Sequence, residues 1–444
     1  MDLKRTLKEI KRNNKTFYFL ALPNSKSFKF SIKCNMGSKC EEKYQILTGK
    51  NIFGLSHLVE HLSFKSTKDF STLELKELLK KTGVYNAGTS FDYIEYFHQT
   101  ISEKYDISVR LVTNIALNDL SRVTEEEFNL ERKVVSNEAK MYNSNNDKKF
   151  YRNATTILYG KNIEDDIIGV PETIDTFTLE DAKELKANFL NYDDYAYYIT
   201  YDPLELNQDT IIETILGITG EFKKPNVLVD VYSNYRNYTK KVTLKNVNVL
   251  DLKSDSSQVL NMLSMKYGVN IEVKELLNLI YLTSYLRKES PAKSLDYVIR
   301  ESNGLTYNIS YNVGYNNNPK EIVINFYSGV TAGDEDKLIE LLKETLKNNL
   351  VNFNFDEYKE YLAKEFIVVT ISKMDQSYYN NWMYTTTSYY PLFKELEDVY
   401  NKDLDTVEKY ILDNIIDLDL TKNILNNIVS NMEHNRYSLV RNKK

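Results

Sequence analysis

Cysteine is nearly absent from this chain: Cys34 and Cys40 are the only two in 444 residues. Two thiols cannot build a disulfide framework, and these are not spaced as a zinc ribbon, so a reducing compartment and a cytoplasmic location are expected. No run of about 18 apolar residues occurs, which excludes a membrane-spanning helix and a membrane partner from the expectations. The lysine-rich stretch Lys4–Lys15 has no apolar segment behind it; it reads as a solvated helix face rather than a secretory signal. Neither sign of charge dominates. A net charge of −6 with intermixed signs leaves no basic stripe, and no nucleic-acid partner is expected. With 27% charged and 42% hydrophobic residues the composition is that of a globular protein, and the length exceeds one ordinary core, so two or more domains are expected.

Histidine is scarce as well, with four in the chain, yet two of them fall within Ser56-His57-Leu58-Val59-Glu60-His61. On a helix, residues four apart share a face, so both imidazoles point at one spot, and Glu60 falls on that face too. Two neutral imidazoles with a carboxylate suit Zn2+. The order His-x-x-Glu-His is the inverted zinc-peptidase signature, in which the glutamate acts as general base. Leu55, Leu58, Val59 and Leu62 supply the apolar side of the same short helix.

Along the chain, strand-like segments at Phe17–Leu22 and Phe28–Asn35 precede this helix, and an amphipathic helix at Thr72–Lys81 follows, closed by Gly83. A strand pattern covers Tyr85–Thr100, helices Ile107–Leu120 and Glu125–Tyr142, a strand Tyr195–Tyr201 and a helix Gln208–Leu216. Between Gly220 and Lys245 the pattern loosens into a plausible connection. The second half repeats the order: strands, helices at Val273–Arg287 and Ser294–Glu301, strands at Leu305–Val313 and Glu321–Ser328, then helices at Asp334–Asn348 and Asp356–Ile371. A duplicated α+β unit is the economical reading, with domains at 1–222 and 246–444 joined by a linker at 223–245.

A catalytic zinc takes three protein ligands, so one is missing from the histidine helix. The segment Glu131-Arg-Lys-Val-Val-Ser-Asn-Glu138 reads as helix, and its two glutamates, seven apart, lie on one face. For an arbitrary glutamate pair, a solvated acidic face is the ordinary reading. Here, however, the chain resembles the inverzincin metallopeptidases, the family of pitrilysin, insulin-degrading enzyme and the mitochondrial processing peptidase. Its members carry His-x-x-Glu-His, then a glutamate ligand some three quarters of a hundred residues on, with another glutamate seven positions before it. Glu138 lies 77 residues after His61, and Glu131 lies seven before Glu138. The flanks are similar too: Gly37-Ser38 with Glu41 or Glu42, Gly54, and Phe64 with Thr67.

The resemblance implies that His57, His61 and Glu138 bind one Zn2+ per chain, that Glu60 activates water, and that Glu131 supports the site. It places Asn86-Ala87 on an edge strand that hydrogen-bonds an extended peptide. It also matches Arg300 and Tyr307 to a pair that contacts substrate or the reacting carbonyl, for which both side chains are suitable donors. Taken alone, Arg300 is an ordinary surface residue and Tyr307 a strand aromatic. By the same resemblance, each of the two domains is a mostly antiparallel sheet packed with helices, together forming half of a clam-like chamber. The implied activity is zinc-dependent endopeptidase action on peptides or unfolded segments. The implied assembly is a homodimer, or a heterodimer with a related subunit. The alternatives are a dedicated maturation protease for one precursor peptide and a catalytically silent structural or binding subunit.

Overall fold

The computed structural model describes residues 6–34, 37–90, 93–159, 167–191, 195–231, 244–253, 257–288, 293–317, 320–363 and 409–443. Among these, the chain divides into two compact units. The first takes in described residues up to 144 and 167–231, and the second takes in 145–159 and those from 244 onward. Residues 232–243 of the expected linker and 364–371 of the expected helix Asp356–Ile371 lie outside the described residues; that helix is seen at Phe355–Leu362.

The first unit is built on a six-stranded sheet: β1 (Thr6–Arg12), β2 (Lys15–Ala21), β3 (Ser27–Cys34), β4 (Val84–Thr89), β5 (Ile94–Ile101) and β6 (Tyr195–Tyr201). Its spatial order is β1-β2-β6-β3-β5-β4, antiparallel throughout except for the parallel pair β2/β6. The described part of the lysine-rich stretch, from Thr6 to Lys15, is therefore not a helix face. Thr6–Arg12 pairs residue for residue with β2, from Thr6 opposite Ala21 to Arg12 opposite Lys15. Asn13 and Asn14 take the positive φ that such a tight turn demands, and asparagine tolerates it. Cross-strand pairing thus overrides the charge pattern.

Helices α1 (Lys39–Thr48), α2 (Leu55–Ser63), α3 (Thr72–Thr82), α4 (Tyr105–Ala116), α5 (Glu125–Ser144), α8 (Leu179–Asn191) and α9 (Gln208–Gly220) belong to this unit, with the short α7 (Pro171–Ile174). Phe17, Phe19, Phe28, Phe30 and Ile32 of the sheet form one core with Leu58, Val59 and Leu62 of α2 and Leu111, Val112 and Ile115 of α4. Burying such side chains is worth about 1.5–3 kcal/mol each. The histidine helix is therefore fixed by its apolar side, and its polar side is left for chemistry.

The second unit has a five-stranded sheet of β7 (Leu250–Lys253), β8 (Gln258–Val269), β9 (Thr306–Asn317), β10 (Lys320–Thr331) and β11 (Ser438–Lys443), in the order β7-β11-β8-β10-β9. Again one pair, β7/β11, is parallel and the others are antiparallel. Order and pairing sense match β2-β6-β3-β5-β4 strand for strand, so the duplicated α+β architecture is present in both units. Helix α6 (Asn146–Tyr159) follows α5 directly but belongs to the second unit, where Phe150, Ala154 and Leu158 pack with Leu260, Met262, Val323 and Val440.

Gly83 ends α3, but in extended backbone with φ 171°, not in the left-handed conformation a helix-ending glycine usually takes. Its lack of a side chain is needed for another reason: a Cβ there would lie 2.0 Å from the Gln99 carbonyl oxygen of β5. The same crowding fixes His98, which is fully buried. The Thr82 hydroxyl donates to the Leu78 carbonyl, so His98 Nε2–H donates to Thr82 (3.1 Å) and Nδ1 accepts from Ser108 (2.9 Å). Burial holds this neutral imidazole down at about 4. Below its ordinary pKa near 6.5 the unfolded chain binds a proton that the folded chain refuses, so stability falls as pH drops from about 6.5 to 4 and then levels. We expect this residue to account for about 3 kcal/mol of that loss. Urea unfolding between pH 7 and 4 checks it: His98→Gln should flatten the pH dependence relative to the parent, and parallel curves would refute it.

Candidate metal centre

Helix α2 begins where it does because of two residues distant in sequence. The buried Glu41 carboxylate accepts from the backbone N–H groups of Gly54 (2.9 Å) and Ser56 (2.6 Å), satisfying donors that a helix N-terminus leaves unpaired. Gly54 itself takes φ 97°, and a Cβ on it would lie 2.8 Å from the Cα of Gly169, which also has positive φ. The two glycine backbones pass too closely for any side chain.

From this start α2 presents His57 and His61 one turn apart, ring centroids 4.8 Å from each other and nearly perpendicular. Glu138, on α5, brings Oε2 to 3.9 Å from His57 Nε2 and 3.8 Å from His61 Nε2. All three donor atoms lie within 4.8 Å of one another. Two ligands about 2.1 Å from one zinc ion lie about 3.4 Å apart in a tetrahedral shell, so a small side-chain adjustment separates the observed spacing from coordination. The donor set, two imidazole nitrogens and one carboxylate oxygen, fits zinc.

The surroundings set each donor's state. His61 Nδ1 donates to Glu131 Oε2 (3.2 Å), which fixes the proton on Nδ1 and leaves the Nε2 lone pair facing His57 and Glu138. Burial disfavours the charge on His61, but Glu131, Glu60 and Glu138 outweigh it and raise its pKa. Burial, with His61 adding to it, pushes His57 down to about 4, so this ring is a neutral donor at pH 7. For Glu131, burial opposes ionisation, yet the hydrogen bonds of His61 and Lys65 hold it ionised, down at about 2. Glu60 is raised by burial despite accepting a 2.7 Å hydrogen bond from the Thr89 hydroxyl. Glu60 is thus a buried carboxylate whose charge is felt by His61 and Glu138 of the donor cluster.

Asn86 and Ala87 lie on β4, the terminal strand of its sheet, paired on one side with Phe97 and Tyr96 of β5. Arg300 and Tyr307 are in the second unit: Arg300 in the π-helical turn Asp296–Ser302 and Tyr307 at the start of β9, which is likewise the terminal strand of its sheet. The Arg300 guanidinium stands 5.5 Å over the Tyr307 ring, and Tyr307 is 84% exposed. In the second unit the helix Val273–Lys288 follows β8 much as α1 and α2 follow β3, but it holds no histidine, and among the described residues His57, His61 and Glu138 form the one candidate metal centre.

Sequence reasoning missed Lys65 and Thr89 and did not choose between Glu41 and Glu42. Lys65 had a signal, four residues beyond His61, but a lone lysine reads as solvated surface. Thr89 had none, since only strand pairing brings it to Glu60.

Residues 22–170 match the family described as Insulinase (Peptidase family M16). This chain carries an insulinase-family domain. The match encloses His57, Glu60, His61, Glu131 and Glu138. The chain is 25% identical over 303 residues to a protein of Bacillus subtilis named uncharacterized zinc protease YmxG, covering 66% of this chain and 68% of that one. It is 34% identical over 134 residues to zinc protease PqqE of Helicobacter pylori, a match spanning 30% of each chain. Among solved structures, a Helicobacter pylori protease superposes with TM-score 0.73 at 18% identity over the full length of both chains. A Pseudomonas fluorescens structure described as a peptidase M16 inactive domain superposes with TM-score 0.74 at 12% identity over 99% of both. These two likenesses show the fold, and the fold extends beyond the insulinase-family domain to the second unit. No described helix is long and apolar enough to cross a membrane.

Proposed function

We propose that this chain is a zinc-dependent endopeptidase hydrolysing peptides or unfolded segments, with one Zn2+ held by His57, His61 and Glu138. The observation that carries it is the convergence of three donor atoms from two helices, with a buried glutamate, Glu60, on the same helix as both histidines. Bound zinc would polarise the scissile carbonyl and acidify water. Glu60 is the general base of this reading, the residue that would hold a proton from the attacking water and return it to the leaving amine. The side of β4 that meets no described strand, at Asn86 and Ala87, offers main-chain groups to an extended peptide, a mode that reads backbone rather than side chains. Arg300 and Tyr307 serve as donors to the substrate carbonyl or the developing oxyanion.

The domain division at 223–245 and a cytoplasmic location belong to this proposal. So does a homodimer whose chambers exclude folded proteins, since one chain carries both the metal donors and the Arg-Tyr pair. A silent subunit of a heterodimer is disfavoured by the complete donor set. Zinc analysis with a peptide-library cleavage assay tests the proposal, with and without chelator, on a sample sized by light scattering. The expected result is one zinc per chain, cleavage abolished by chelation and restored by zinc, and a dimeric mass. Absence of bound zinc, or cleavage indifferent to chelator, would overturn the function, and an active monomer would overturn the assembly.

A further inference from the structure

The loop leaving the metal helix is held more firmly than a connecting loop requires. Asn118 Nδ2 donates to the carbonyls of Ser63 (3.2 Å) and Ser66 (3.3 Å). Arg122 donates to those of Thr67 (2.9 Å) and Lys68 (2.7 Å). Within this clamped loop Lys65 is only 7% exposed, and its Nζ is paired with Glu131 Oε1. The other oxygen of that carboxylate is the one that accepts from His61 Nδ1. Glu127, one turn earlier on α5, is itself fixed by the hydroxyls of Thr72 and Ser66 and by the Thr124 N–H, and its charge also acts on Lys65. Burying an ammonium is unfavourable unless it is paired, and a methionine of similar length would fill the same space without that penalty. A cation at this spot therefore needs a reason beyond packing.

We infer that Lys65 is a positioning residue of the metal centre, acting on His61 through Glu131. A carboxylate with two equivalent oxygens can rotate and choose its partners. With Oε1 held by Lys65, Oε2 is aimed at His61 Nδ1, and the imidazole keeps its Nε2 lone pair toward His57 and Glu138. Lys65 also offsets the charge of a carboxylate that is no metal donor, so the centre does not carry Glu131 uncompensated beside Glu60 and Glu138. Partners of this kind typically change metal affinity about 10–100-fold when removed.

The inference rests on the zinc reading, and one titration separates the two. Zinc affinity is measured by competition with a chromophoric chelator for the full-length parent, Lys65→Met, Lys65→Arg, Glu131→Gln and the double variant Lys65→Met/Glu131→Gln. Lys65→Met is expected to bind zinc about 10–100-fold more weakly. Lys65→Arg, keeping charge and donors, should stay near the parent. The double variant should be no weaker than Glu131→Gln alone, because Lys65 acts only through that residue. Thermal unfolding in chelator is recorded alongside, with Lys65→Gln as the second variant if Lys65→Met does not fold. Parent-like zinc affinity in a folded Lys65→Met, with or without lost thermal stability, would overturn the positioning role while leaving the metal centre intact. Fully additive losses in the double variant would overturn the route through Glu131. A parent that binds no zinc would bring down both the function and this inference.

Discussion

Glu60→Gln is expected to lower peptidase turnover by about 10²–10⁴-fold while zinc stays at one per chain. Glutamine keeps the shape of the side chain and can still accept from the Thr89 hydroxyl, so α2 and β4 hold their relative place. What it loses is the capacity to bind and release a proton. Glu60 is not among the three converging donors, and its removal leaves His57, His61 and Glu138 where they are. Metal analysis and single-turnover cleavage on the same preparation check this. Substantial turnover by metal-replete Glu60→Gln would remove Glu60 from the role of base. Loss of zinc together with activity would instead make it part of the metal shell.

Gly54→Ala is expected to destabilise the first unit by about 2–4 kcal/mol and to weaken zinc binding with it. Two independent penalties add: an L-residue at φ 97° is strained, and its Cβ would overlap the backbone of Gly169 at 2.8 Å and the Ile168 carbonyl oxygen at 2.9 Å. Neither neighbour is the end of a flexible side chain that could swing away. The strain also falls at the N–H pair that Glu41 caps, three residues before His57. Urea unfolding monitored by circular dichroism gives the stability, and chelator competition gives the zinc affinity. A change in stability below about 0.5 kcal/mol would show that the Gly54–Gly169 approach is not a constraint.

Most of the fold was legible because its signals are local. Continuous aromatic and β-branched runs such as Tyr195–Tyr201, buried at every position, and 3.6-period helices such as Gln208–Gly220 carry their own pattern, and the repeated order of elements announced the duplication. The stretch from Thr6 to Lys15 failed as a helix because dense lysines say exposed, not which backbone geometry, and the choice was made by hydrogen bonding to β2. Helix α6 left no sequence mark of its allegiance. Its apolar residues require burial, but either sheet could have supplied it, and the second one does.

The metal centre divides along the same line. The sequence by itself determined the two histidines and Glu60 on one face of a helix, because i, i+3 and i+4 geometry is intrinsic to the helix. It also put Glu131 and Glu138 on one face of another. It carried no information on which face of α5 meets α2, since that depends on side chains packed from several elements at once. Only the tertiary structure brought Glu138 beside both imidazoles, divided the two oxygens of Glu131 between His61 and Lys65, and placed Thr89 of an edge strand on Glu60. Such contacts join residues up to 81 positions apart, and only packing of the folded chain specifies them.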